Sequence, residues 1–412
     1  MSRRVLITGA TGFVGPYLAR KLLDLDYEVY ALVRRISDGN KPLRLVEAGI
    51  NDDVVLCDGD VTDLTSLLFT LDKSQPEVVF HLASQSYVPR SFSCPHETFR
   101  VNSLGTENLL EAIRLKDLDC KIVFASSSEV YGLQFASKKR YEWALEKYGA
   151  IFPEPIKIPE LPIDEHNPVR PMSPYAVSKL YGDFLMRNYY HAFGLKTIVS
   201  RAFNHEGARR GPEFVTSAVV RKCLSLKSGE NDKIIIGNVN VFRDWSHVDD
   251  IINGYILLAE KGKFGDVYVQ GSARTNSVLA YLLLTIHNLG YEIKEVETLK
   301  GDKRVKDPIV EADSEEFFGV RFNKTKIDEL LLKGELEYSL KDRGLKVKTN
   351  KGNISVEFDK DKFRVAEVPI LMSNPGKIQN VGFKITKSLG DIINDQINYY
   401  LDPERRKRVK GS

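Results

Sequence analysis

The sequence predicts an α/β fold: a doubly wound parallel sheet followed by a smaller mixed α/β domain. Three observations carry this reading. The first 205 residues hold six short apolar runs rich in β-branched residues. Amphipathic stretches with helical spacing separate the runs, and a glycine-rich turn directly follows the first of them. Strands that alternate with helices build parallel sheets covered on both faces, so their strands are apolar almost throughout.

In order, the runs are RVLITG, EVYALV, VVLCDGDV, EVVFHLA, KIVFAS and KTIVSRAF, with helical stretches such as YLARKLLDL and TENLLEAIRL between them. After residue 205 the pattern changes. The strand KIIIGN and the helix VDDIINGYILLAEKG suggest that about 236–262 returns to the first domain. Two segments read as insertions. Residues 134–165 carry four prolines and a charged helical piece, KKRYEWALEKYG. Residues 296–363 are strongly charged, and within them GLKVKTNKGNISVEF alternates polar and apolar residues about an NKGN turn, the pattern of a hairpin. With 412 residues, 42% of them hydrophobic, the chain suffices for two domains: 1–205 and 206–412.

Bulk properties exclude several function classes. A net charge of +3 gives no strong field for nucleic acid or an anionic membrane. Cys57, Cys94, Cys120 and Cys223 show neither CxxC nor zinc spacing, so we expect no metal and the reduced thiols of a cytoplasmic protein. No apolar run reaches membrane-spanning length, and the N-terminus enters a strand at once, leaving no room for a signal peptide.

The turn ITGATGFVG places Gly9, Gly12 and Gly15 at GxxGxxG spacing, with Thr11 and Phe13 between them. The first glycine permits the tight turn, the second lets a pyrophosphate approach the backbone, and the third lets the helix pack on the strand. This makes 1–205 a Rossmann-type dinucleotide-binding domain and 206–412 the substrate-binding domain. Where a cofactor without a 2′-phosphate meets an acidic residue after the second strand, this chain has Arg34 and Arg35. Guanidinium groups suit a 2′-phosphate, so NADP is expected over NAD; a solvated basic loop is the alternative. In CDGDVTD, Asp60 and Val61 could meet the adenine, or Asp60 could cap the next helix.

SPYAVSKLYGDFL puts Tyr175 and Lys179 at i and i+4 on one helix face. A nearby ammonium favours tyrosinate over phenol, which would make Tyr175 a base near neutral pH. FASSSEVYG ends an apolar strand on Ser126, Ser127, Ser128 and Glu129, at the carboxyl edge where such sheets bind ligands. His81 reads as a hydrogen-bonded core histidine and Asn102 as structural.

These residues resemble the extended short-chain dehydrogenase/reductase superfamily that acts on nucleotide sugars. FASSSEVYG, RPMSPYAVSKLYGDF, FNHEGARRGPEFVT and GNVNVFRDWSHVDD further resemble stretches of the GDP-mannose 4,6-dehydratases, over about 1–133, 166–290 and 364–400. The resemblance implies that Tyr175 takes the C4 hydroxyl proton while the C4 hydride passes to NADP, and that Ser127 bonds the same oxygen. Glu129 would remove the C5 proton and help expel the C6 hydroxyl as water. The hydride would return to C6, leaving a 4-keto-6-deoxy sugar. Lys179 would hold the nicotinamide ribose. Leu82, Ala83, Gln85, His205 and Arg210 would contact the cofactor. Ser86, Ser128, Asn204, Arg243, Arg364 and Glu367 would contact the nucleotide sugar. A homo-oligomer, dimer or tetramer, is also implied. Arg209, Arg210 and Glu367 could instead be surface charges.

This chain departs from the pattern in four places. Ala218 stands where the family has a lysine that contacts the nucleotide, Val365 stands where it has a proline, and 134–165 and 296–363 add length. The base and the sugar therefore stay open. So do three further functions: a reductase of 4-keto-6-deoxy sugars using NADPH, a 4-epimerase, and a non-catalytic NADP-binding sensor or scaffold.

Overall fold

The computed structural model describes residues 3–34, 41–312, 315–363 and 367–403. All six expected strands form: β1 (Arg4–Thr8), β2 (Glu28–Val33), β3 (Val55–Asp58), β4 (Val78–His81), β5 (Lys121–Ala125) and β6 (Lys196–Ala202). A seventh, Val267–Gln270, pairs outside β6, and the order is Val267–Gln270, β6, β5, β4, β1, β2, β3, all parallel. Successive side chains of a strand point to opposite faces. In β1, Val5 and Ile7 pack with Leu18 and Leu22 of the first helix and with Ile251 and Tyr255 of the helix Val248–Lys261. Leu6 joins Leu67, Leu109, Ile113 and Met186 on the other face. Helices thus cover both sides of the sheet, which is why its strands carry so few polar residues.

Of the segment expected to return, the helix Val248–Lys261 lies on this sheet, whereas Lys233–Ile236 joins a second sheet. That sheet runs Arg304–Lys306, Ile293–Thr298, Gly344–Thr349, Gly352–Phe358, Lys233–Ile236. Its last two strands are parallel and the others antiparallel. The expected hairpin is there, Gly344–Thr349 against Gly352–Phe358. Residues 296–363 therefore extend a sheet rather than forming a separate lobe. Val296, Val347 and Val356 are buried with Leu279 and Leu283 in the core beneath it. The other added segment forms the helix Lys138–Tyr148 and is anchored by a buried ion pair, Arg170 to Glu160 at 2.8 Å.

Two short ladders join the sheets. Asn204–Glu206 pairs with Trp245–His247, and Phe242–Arg243 pairs with Asn276–Ser277. They bring the segments after β6 back over the carboxyl edge of the large sheet. Among the described residues the four cysteines are free, and no helix is long and apolar enough to cross a membrane.

Candidate active site

A cleft of about 980 Å³ opens at the carboxyl edge of the large sheet, where the order reverses between β1 and β4. One wall is the turn after β1. Gly9 has φ +75°, and a Cβ there would meet Ala83 N at 2.7 Å; a Cβ on Gly15 would meet Ala10 Cα at 2.5 Å. Both positions need glycine, one for its backbone angle and close approach, the other for helix packing. The helix Val14–Leu23 begins without a side-chain cap, so its first N–H groups face the cleft end unbonded by any side chain, a fitting seat for a phosphate.

The opposite wall carries Ser127, Glu129, Tyr175 and Lys179, and a buried network ties their elements together. Ser173 caps the helix Pro174–Phe193 by accepting from Ala176 N. That helix presents Tyr175 and Lys179 to the cleft, and Lys179 Nζ donates to Ala125 O at 2.8 Å. One turn on, Asp183 accepts from Ser126 Oγ and from Arg201, whose other end reaches Tyr131 OH at 3.0 Å. The serine loop is thus fixed to both the helix and β6. Ser127 accepts from Glu129 N at 3.2 Å and lines the cleft with Tyr175. Glu129 is half-buried beside them.

The electrostatics differ from the expectation in one respect. Burial pushes Tyr175 up to about 12, and the Glu129 carboxylate pushes it the same way; Ser127 and Arg210 oppose. Burial pushes Lys179 down to about 7. At neutral pH the cleft therefore holds Tyr175 as a phenol rather than a tyrosinate. Desolvation outweighs the helix neighbour because the ammonium is aimed at Ala125 O.

A third wall comes from the ladder after β6. His205 stacks on Phe13, ring centroids 6.2 Å apart, and burial pushes it down to about 4, so it is neutral. Arg210 lies 5.0 Å from the Phe13 ring and 3.6 Å from the Phe214 ring, and Glu206 pairs with it at 3.3 Å. Arg209 lies over Tyr17. Neither arginine is a free surface charge. Arg243 is buried and donates to Val368 O and to Glu367 at 3.1 Å, so Glu367 is not a surface charge either.

Every described candidate lines this one cleft: Gly9, Thr11, Gly12, Phe13, Gly15, Arg34, Asp60, Val61, Leu82, Ala83, Gln85, Ser86, Ser127, Ser128, Glu129, Tyr175, Lys179, Asn204, His205, Arg210, Arg243 and Glu367. Arg35 and Arg364 lie outside the described residues. Asp60 bonds Thr62, and the helix cap is Asp63 instead. Gln85 uses its side-chain amide on Tyr87 O and Thr98. Asn102 ties Gln85 to Ser178 of the helix Pro174–Phe193, and His81 is satisfied by Thr8 and Thr106.

Sequence reasoning missed Arg44, Tyr87, Phe214, Tyr255, Lys222, Lys362 and Phe363, which also line the cleft. Arg44, ten residues past Arg34, could have been found as a further cation after β2. The others lie on elements whose sequence gives no sign of facing a ligand.

Residues 5–271 match the NAD dependent epimerase/dehydratase family. The chain belongs to that family. Among relatives of this family member, GDP-mannose 4,6-dehydratase of Vibrio cholerae is 31% identical over 385 residues, 92% of this chain and 88% of the relative. Two solved structures share the fold at 20% identity. RMD of Pseudomonas aeruginosa, complexed with NADPH, has a TM-score of 0.63, covering 96% of this chain and 98% of that one. dTDP-glucose 4,6-dehydratase of Bacillus anthracis, in complex with NAD, has a TM-score of 0.66, covering 98% of each. In this family member the glycine turn, the uncapped helix and the cations Arg34 and Arg44 fit the phosphates of a nicotinamide dinucleotide.

Proposed function

We propose that this protein is a nucleotide-sugar 4,6-dehydratase that uses NADP and acts on GDP-mannose. The observation that carries the reading is Glu129, a carboxylate set in the cleft beside the Ser127–Tyr175 pair. Oxidation of a sugar alcohol needs one base; removal of water from the neighbouring carbons needs a second acid–base group. The curated relatives support the reaction class.

The bound nicotinamide supplies reversible hydride acceptance. The chain's own groups do the rest. Ser127 and Tyr175 bracket the sugar O4. Tyr175 first releases its own phenol proton to solvent, Lys179 stabilises the phenolate so formed, and that phenolate takes the O4 proton and becomes the phenol again. Glu129 takes the C5 proton, made acidic by the C4 ketone, and returns a proton to the departing C6 hydroxyl. Mass spectrometry of GDP-mannose incubated with catalytic NADP tests this: the product should be lighter by one water with no net NADP reduction. Unchanged GDP-mannose would overturn the substrate.

Arg34 and Arg44 support NADP over NAD, because both stand at the cleft end after β2. Arg34→Ala should weaken NADP binding about 10–100-fold and NAD binding little, since a charge-assisted bond is worth about 1.5–3 kcal/mol. Calorimetry with each nucleotide would show it; equal losses for both would contradict the assignment.

A homo-oligomer is part of the proposal. Leu115, Val177, Tyr181, Phe184 and Phe193 are exposed on the helices Gly105–Leu115 and Pro174–Phe193, an apolar face suited to a second copy. Light scattering should give at least twice the 46.6 kDa chain mass; a monomer at micromolar concentration would rule it out.

A further inference from the structure

The segment that lengthens this chain, 296–363, ends inside the cleft. Its last strand, Gly352–Phe358, runs parallel to Lys233–Ile236 with Phe358 opposite Ile236, and Asp359 N donates to Ile236 O at 2.9 Å. That pairing carries the turn Lys360–Lys362 against Gly237. A Cβ on Gly237 would meet Lys362 O at 2.6 Å, so the turn packs directly on the backbone there. Lys362 and Phe363 consequently line the same cleft as Glu129.

Across from them is the helix Val215–Lys227. It brings Ala218 and, one turn later, Lys222 to the cleft. Lys222 is half-buried and donates one of its three hydrogens to Ile235 O at 2.5 Å. Burial and the Lys362 charge both hold it below the usual lysine range. Lys362 itself pairs with Asp359 at 2.9 Å. Val219, Ile236 and Val241, all buried, line the same cleft, and so does Asp361. A flat ligand edge that offers only acceptors would satisfy this arrangement.

Resting on the nucleotide-sugar reading above, we propose that Lys222 and Lys362, with Phe363 beside them, form the base-selecting wall of the substrate site and favour a keto base, guanine most. Ammonium groups only donate. Guanine offers O6 and N7 as adjacent acceptors. Uracil and thymine offer a single keto oxygen in the corresponding place. Cytosine and adenine place an amino donor there, which faces the ammonium groups without an acceptor. Phe363 and the aliphatic walls cover the ring plane. The inserted segment thereby supplies part of the specificity that Ala218, with its single methyl, does not.

The test is calorimetric titration of GDP, UDP, CDP and ADP into the full chain at saturating NADP, which blocks the cofactor end. GDP should bind at least about tenfold more tightly than CDP or ADP, with UDP between. Lys222→Met and Lys362→Met should each lower GDP affinity about three- to tenfold and narrow the GDP/CDP ratio. Gly237→Ala, which displaces the turn, should narrow the ratio as well. GDP and CDP bound alike, or a ratio unchanged in both lysine variants, would overturn the base selection and leave the dehydratase reading intact. No heat with any of the four would overturn the nucleotide-sugar reading itself.

Discussion

Glu129→Gln should stop the loss of water, with a fall in turnover of about 10²–10⁴-fold, the range expected when a general acid–base group is removed. The amide keeps the size and the hydrogen-bonding reach of the side chain but cannot take the C5 proton. Ser127 accepts from the Glu129 backbone N–H, not from its carboxylate, so the loop geometry should survive the change. The carboxylate also pushes Tyr175 up, so the variant's tyrosine should ionise slightly more readily. Binding of NADP and of the nucleotide sugar should change less than threefold by calorimetry, because the charge is lost on the reacting side only. A variant that still releases water at the parent's rate would remove Glu129 from the chemistry.

Lys179→Met should likewise cost about 10³-fold in turnover, yet make the protein more stable in mild acid. The signs follow from burial. Folding lowers this ammonium from 10.5 to about 7. Below about pH 7 both folded and unfolded chains carry the proton, and the folded state bears the full cost of the buried charge. Between about 7 and 10.5 only the unfolded chain holds it, so the parent's stability rises with pH and the cost fades. The bond to Ala125 O and the Phe124 ring 5.1 Å away offset part of that cost in the parent. Melting curves should therefore show the variant ahead at pH 6, with its lead shrinking toward pH 10. A variant that melts lower at pH 6, or a difference independent of pH, would contradict the account.

Much of the fold was legible because burial on both faces leaves a plain record. RVLITG and KIVFAS can be little else than two-faced strands between helices. The hairpin at 344–358 announced itself through alternation about NKGN. Lys233–Ile236 was read toward the wrong sheet for a physical reason. Its four residues alternate exposed and buried, so it covers one face only, and its partner strand lies some 120 residues downstream. Val267–Gln270 was not among the strands read from the sequence, although all four of its residues are buried.

The site was legible where chemistry demands particular residue types at fixed spacing, as in Gly9–Gly15, Tyr175–Lys179 and Ser127–Glu129. Residues that line the cleft by tertiary packing were not. Nothing in the sequence near Phe363 says that strand pairing with Lys233–Ile236 delivers it to the cleft. Nor could the sequence show that burial would keep Tyr175 protonated, since that depends on the surroundings of both side chains rather than on their spacing.

The central claim is a closed reaction within one cleft, in which Tyr175 and Glu129 work on adjacent carbons of one bound sugar. GDP-mannose carrying deuterium at C4 tests it most directly. The dehydrated product should carry that deuterium at C6, with none in the free nucleotide cofactor. Dehydrated product without deuterium at C6, or label accumulating in released cofactor, would contradict it.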